Sequence, residues 1–380
     1  MSYIFETGPI RPPSEANSLL LRITRNCPWN KCAFCPVYKT EKFSKRSVEE
    51  VKNDIDSMHE AADRLLNLSN SLGLKGAMTA EVIRKAAGLD MIPEQYYHQI
   101  AVWLHNGGKT AFLQDANSII INTSDLIDII KYLKDKFPSI ERITSYARSK
   151  TVSKKTLEEL KELRKAGLTR IHIGMESGSD RILDLINKGV TSEEHIIAGQ
   201  NAVTAGFDVS LYYMPGLGGK EFLEENALES ARVINSVNPT FIRIRSTIPV
   251  PGTGLHTMML EKKWTQCTDE EKIWELRLFI EKLEGINSTM VSDHVMNLLE
   301  DVEGEFPKDK NKMLSTIDKF LDMEKEGREE FIIGRRLGYF RYLSDYHKNA
   351  KVEDIRKQLM ERYSSIDDAI MDILMNYVHL

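Results

Sequence analysis

The chain has 380 residues, 42% hydrophobic and 28% charged, with a formal net charge of −5. That is enough apolar side chain for one large domain or two ordinary ones, and the acidic balance excludes a general attraction to phosphate backbones or anionic lipid. No apolar run approaches the roughly 20 residues of a membrane span, and the opening segment MSYIFETGPIRPPSEA lacks a basic stretch followed by an apolar one, so the expected location is the cytoplasm.

Residues 1–17 read as an extension. From 18 to 260, short β-type runs alternate with amphipathic helical stretches, the pattern of a parallel sheet with crossover helices. The first strand, Leu19 to Thr24, leads into three cysteines and then a helix over Val48 to Leu68. Residues 72–108 form a mostly helical insertion, longer than a crossover needs. Strands follow at Thr110 to Gln114, Arg142 to Tyr146, Arg170 to Gly174, Asp208 to Met214 and Phe241 to Ser246. Helices lie between them at Asp125 to Lys136, Lys154 to Ala166, Ser192 to Ala205 and Phe222 to Val237. Gly167 and Gly206 sit just past two of those helices, where a left-handed residue closes the end. After Pro251 and Gly252 the strand pattern stops, and residues 261–380 read as a charged helical region.

Three of the four cysteines, Cys27, Cys32 and Cys35, fall on one loop directly after the first strand. Such crowding suits metal binding in a reducing compartment better than a disulfide framework. Three thiolates can ligate three irons of a cubane cluster and leave the fourth open to a small molecule. They can also form part of a structural zinc site, completed by Cys267 or a distant His, in which case the chain is a zinc-stabilised binding module.

The cysteine loop, with Phe34 just before its third cysteine, resembles the radical S-adenosylmethionine (SAM) superfamily. Further segments resemble it at strand ends: Phe112 to Ser118, the Gly174-Met175-Glu176-Ser177-Gly178 turn, and Met214-Pro215-Gly216-Leu217-Gly218-Gly219. The first gap between cysteines holds four residues where the family usually has three. The resemblance implies a partial (β/α)6 TIM-type barrel with a helical C-terminal region, a [4Fe–4S] cluster on Cys27, Cys32 and Cys35, and S-adenosylmethionine cleaved to a 5′-deoxyadenosyl radical. It also implies an electron donor such as flavodoxin or ferredoxin.

Expected cofactor contacts are Gln114 after the second strand, Ser145 and Arg148 after the third, Glu176 after the fourth, Tyr213, Gly216 and Gly218 around the fifth strand's end, and Ile248 after the sixth. A carboxylate at Glu176 can accept from a ribose or an ammonium group, and Arg148 can meet a carboxylate with a two-pronged fork. Expected substrate residues are Asp115, Asn117, Tyr146, Arg243, Arg245, Asp293, His294 and Asn297. Asp293 and Asn297 share a face if their segment is a helix.

No second cysteine set is present for an auxiliary cluster, and the acidic balance favours a small-molecule substrate over nucleic acid. Length, single cluster, cysteine spacing and helical C-terminus resemble the queuine lyase of the superfamily. That resemblance implies C–N bond cleavage of queuine, in salvage of the aminomethyl deazaguanine, with Asp115 and Asp293 as carboxylates for the guanine-like edge and the cationic amine. The alternative is a radical SAM oxidoreductase on another small metabolite.

Overall fold

The computed structural model describes residues 4–90 and 93–377. Residues 1–3 of the expected N-terminal extension, 91–92 of the insertion and 378–380 of the C-terminal region lie outside the described residues. The chain divides into two compact units, one of residues 1–28, 40–173 and 201–209, the other of 29–39, 174–200 and 210–380.

In the first unit the strands β1 (Leu19–Arg22), β4 (Thr110–Gln114), β5 (Arg142–Ala147) and β6 (Leu168–Glu176, here to residue 173) lie side by side and parallel, with β2 (Thr24–Arg25) and β3 (Ser44–Lys45) paired antiparallel nearby in sequence. Their register aligns Leu20 with Phe112, Phe112 with Thr144, and Tyr146 with His172. The Phe112, Tyr146 and His172 rings meet edge to face along that row, with centroids 5.0 and 5.9 Å apart. Helix α1 (Val48–Ser71) begins at a capping box in which Ser47 and Glu50 satisfy each other's backbone N–H. Its buried stripe, Val51, Ile55, Met58, Ala62 and Leu65, has the spacing of one helix face. That stripe packs against α3 (Glu94–His105) and α4 (Thr123–Lys136), and α2 (Ala80–Asp90) lies against α1 and α3. The helix predicted over 154–166 is α6 (Leu157–Ala166), which starts three residues later because Thr156 and Glu159 make a second capping box there; the short α5 (Ser149–Val152) lies before the predicted range. Gly167 ends α6 at φ 126°, a conformation costly for any side chain.

In the second unit come α7 (Asp180–Leu185), α8 (Ser192–Thr204, here to residue 200), β7 (Asp208–Tyr213, here from residue 210), α9 (Leu223–Val237), β8 (Phe241–Ile244), α10 (Gly254–Leu260) and α11 (Asp269–Lys282). They are followed by β9 (Thr289–Val291), β10 (Gly304–Glu305), α12 (Lys310–Leu321), α13 (Lys325–Arg336), α14 (Ala350–Arg362) and α15 (Ile366–Tyr377). Strands β7, β8 and β9 are parallel and β10 runs antiparallel to β9. The expected α/β class, mostly parallel with a helical C-terminal region, is the one adopted. The expectation that strands stop after Gly252 is corrected by β9 and β10, whose three and two residues are too short to leave a periodic signal. The segment holding Asp293 and Asn297 is likewise no helix but a turn, closed by Asn297 N–H donating to the His294 carbonyl at 2.9 Å.

Candidate functional site

The three loop cysteines are half-buried and none is bridged to another cysteine. Within the first unit the loop is fixed at Asn26, the residue before Cys27. Asn26 is buried in a left-handed conformation, φ 68°, which Asn tolerates better than most side chains. Its N–H donates to Asp115 Oδ2 at 3.1 Å, its Nδ2 to the Lys42 carbonyl at 2.6 Å, and its Oδ1 accepts from Arg22. Within the second unit Ala33 is pinned from both sides, donating to the Ile186 carbonyl at 2.7 Å and accepting from the Leu255 N–H at 2.8 Å. Lys39 Nζ donates to the Cys32 carbonyl at 2.8 Å, and Trp29 Nε1 to the Asn187 carbonyl at 2.7 Å. Phe34 packs on Ile182, Ile186, Met214 and Leu217 with the Lys188 ammonium 5.5 Å from its ring centre. The four-residue first gap turns through Asn30 at φ 49°, whose side-chain amide donates to the Tyr38 carbonyl. Three unbridged thiols on a loop fastened through its own backbone are a donor set that suits an iron–sulfur cluster. Among the described residues no three Cys, His, Asp or Glu side chains are already gathered as a cage.

Several expected ligands of the first unit are occupied by the protein itself. Gln114 is fully buried; its Oε1 accepts from Gly8 N–H at 2.8 Å and its Nε2 donates to the Gly8 and Ile10 carbonyls. Asp115 is fully buried too, with Arg22 at 2.6 Å and the Asn26 N–H on one oxygen. A Cβ at Gly8 would lie 2.1 Å from the other oxygen, so the N-terminal segment passes too close for any side chain. Glu6 binds Arg22, Arg25 and Arg46; burial alone would raise its pKa, and those three charges bring it below the usual value. Asn117 accepts from the Arg148 N–H at 3.0 Å and donates to Thr151, joining the loops after β4 and β5. Ser145 donates to the Tyr146 carbonyl at 3.0 Å. Tyr146 and Arg148 remain half-buried at the end of β5.

In the second unit Glu176 ends β6 in a left-handed conformation, φ 68°, and pairs with Lys188 at 2.9 Å. It does not cap the following helix; Ser179 does, accepting from the Ile182 N–H. A side chain at Gly174 would strike Glu176 Oε1 at 2.2 Å, and one at Gly178 would meet the Glu229 carbonyl at 2.2 Å, which explains both glycines. Gly216 and Gly219 turn at φ 80° and 69°, whereas the space at Gly218 is filled by Ile182 and Phe222. Tyr213, expected at the cofactor, is turned into the core: it stacks on Phe279 at 4.1 Å and donates to Glu275. Ile248 is nearly buried. Arg243 is buried and bound to Asp293 at 2.7 Å, while Arg245 is exposed. The Asn297 amide donates to the Ile244 carbonyl and accepts from the Ser246 N–H, so it clamps the end of β8. Burial, assisted by Arg245 and Arg336 and opposed by Asp293, lowers the His294 pKa to about 4. Sequence reasoning missed Lys188, Arg22 and Glu275, since their pairing depends on tertiary neighbours.

The family model described as the Radical SAM superfamily matches residues 80–230. Among curated proteins, the chain is similar to the tRNA uridine(34) acetyltransferase of Methanocaldococcus jannaschii, 26% identical over 30% of this chain and 22% of that protein. It is also similar to Elongator complex protein 3 of Schizosaccharomyces pombe, 24% identical over 63% of this chain and 43% of that one. The matched segments thus span less than half the length of either relative. Among solved structures, a cobalamin-dependent S-adenosylmethionine radical enzyme, OxsB with aqua-cobalamin and S-adenosylmethionine bound, is 18% identical over 93% of this chain and 51% of that one, at a TM-score of 0.46. Neither queuine nor a lyase figures in these names, and the first is named for tRNA, so the expectation against a nucleic-acid partner finds no support. The Radical SAM superfamily model thus matches part of the chain, and members of that superfamily use a [4Fe–4S] cluster and S-adenosylmethionine.

Proposed function

We propose that this chain is a radical SAM enzyme of residues 18–260 with a helical C-terminal region, in which Cys27, Cys32 and Cys35 ligate the cluster and a small molecule in the cytoplasm is the substrate. The observation that carries the reading is the backbone-fastened loop with three unbridged thiols. When bound, cluster and cofactor supply a 5′-deoxyadenosyl radical that removes a hydrogen atom. Glu176, held by Lys188 at a strand end, accepts from the cofactor's ribose or ammonium group. Arg148 offers its fork to the cofactor's carboxylate, and the turn around Gly216 and Gly218 takes the adenine face. Gln114, Asp115, Asn117, Ser145 and Tyr213 act one step back, by holding the segments that make contact. Tyr146, Arg243, Arg245, Asp293 and His294 face the substrate, with Asn297 as their clamp. Within this class the reading is a lyase that cuts the C–N bond of queuine, served by a flavodoxin or ferredoxin; Asp293, about one third exposed beside Arg243, accepts from the substrate's cationic amine.

The test is anaerobic reconstitution followed by incubation with S-adenosylmethionine, queuine and a reductant. About four irons, 5′-deoxyadenosine and the aminomethyl deazaguanine are expected. Alanine at Cys27, Cys32 or Cys35 abolishes deoxyadenosine formation, and Cys267→Ala retains it, because burial raises the Cys267 thiol far from the thiolate state a ligand needs. A colourless protein holding one zinc overturns the class; intact queuine beside deoxyadenosine overturns the substrate.

A further inference from the structure

A buried carboxylate on α11 holds the turn after β7. Glu275 has no exposed surface, yet three donors converge on it. Its Oε1 accepts from Tyr213 Oη at 2.5 Å and from Asn226 Nδ2 at 2.6 Å, and its Oε2 accepts from the Gly216 N–H at 2.8 Å. Asn226 also donates to the Met214 carbonyl at 3.1 Å, so residues 214 and 216 are tied to a single carboxylate–amide pair. Three further carbonyls of the turn are claimed as well, Pro215 by the Thr247 N–H, Gly216 by the Gly219 N–H and Leu217 by Trp264 Nε1. A core seldom retains a carboxylate where an apolar side chain would pack, since burying the charge is costly. Here an apolar replacement would strand the Gly216 N–H, the Asn226 amide and the Tyr213 hydroxyl. Only an ionised carboxyl accepts from all three with the strength of a charged bond.

Resting on the reading that this turn receives the adenosyl part of the cofactor, we propose that Glu275 is a positioning residue for S-adenosylmethionine, fixing the Met214–Gly219 turn in its receiving shape. Burial raises the Glu275 carboxyl to about 7, against the hydrogen bonds from Tyr213, Gly216 and Asn226 and the charge of Lys272. The titratable groups facing it are Tyr213 from β7, Lys272 from its own helix, itself bound to Asp269, and Cys267 from the preceding loop. Protonation removes the charge that strengthens the tie to Gly216, so cofactor affinity falls as pH drops through about 7.

The experiment titrates S-adenosylmethionine into cluster-loaded wild type, Glu275→Gln and Tyr213→Phe by calorimetry between pH 6 and 9, with iron content and thermal melting recorded beside it. Glu275→Gln is expected to bind about tenfold more weakly at pH 8, the loss of one charged hydrogen bond, and to lack the step near pH 7. Tyr213→Phe keeps the stacking on Phe279 and removes one donor, so its step moves to higher pH. Wild-type affinity and an unchanged step in both variants, with full iron and normal melting, make Glu275 a packing group and overturn the inference. If fully loaded wild type does not bind S-adenosylmethionine at all, the functional reading fails and takes this inference with it.

Discussion

The Arg22 guanidinium holds Asp115, Glu6 and the Asn26 side chain together. Removing one member of a buried pair leaves an uncompensated charge, so Arg22→Ala is expected to cost about 3–5 kcal/mol in urea unfolding. Arg22→Lys should recover only part of it, because an ammonium cannot reproduce the fork that spans three acceptors. The sequence showed Asp115 and Gln114 as polar residues at a strand end, which is where ligands gather. It did not show that a segment more than a hundred positions away would use them first, since Gly8 and Ile10 carry no signal of where they fold back. The three cysteines stand out in the sequence because the metal-binding chemistry proposed for them resides in spacing alone.

Elements were legible where amphipathic period and end signals agreed. Strand β4 is the predicted Thr110 to Gln114, and α4 begins only two residues before the expected start. Ends set by tertiary pairing were not: β6 extends two residues on each side of the expected Arg170 to Gly174. Helix α11 shows how a local signal supports a distant task. Its capping box, Thr268 with Glu271, fixes the start of the helix that presents Asp269, Lys272 and Glu275. Thr268→Ala should cost about 1 kcal/mol in stability. Gly178→Ala should cost more, about 1–3 kcal/mol by overpacking, because its methyl meets the Glu229 backbone rather than a movable side chain. Melting temperatures of the two variants check the order.

Across the whole molecule, two titrations oppose each other. His294 is held neutral, with its pKa near 4 against 6.5 unfolded, so its contribution is present above 6.5 and is lost as pH falls towards 4. Glu275 runs the other way: with its pKa near 7 against 4.5 unfolded, stability is lost as pH rises from 4.5 through 7. Each shift corresponds to about 3 kcal/mol, so wild-type stability should change little between pH 7 and 4.5. Glu275→Gln should expose the His294 term as a loss of stability on acidification, and His294→Asn should expose the opposite slope; urea midpoints across this range measure both. Below pH 4 a further loss follows from Asp269. Burial would raise its pKa, but Arg336 and Lys272 hold it well below the usual carboxylate range, and its stabilisation disappears as that carboxyl protonates.

The backbone at Glu176 has a consequence for selection. A left-handed conformation costs an ordinary side chain roughly 1–2 kcal/mol and glycine almost nothing. Glu176→Gly should therefore be about 1 kcal/mol more stable than Glu176→Ala, although both lose the carboxylate and the tie to Lys188 equally. A library sorted for thermal resistance alone would drift towards glycine at this strand end; under the cofactor role proposed for Glu176, one sorted for cofactor turnover would return to the acid. Opposite drift in the two sorts is the outcome expected if the chain holds a carboxylate there for function against its own conformational preference.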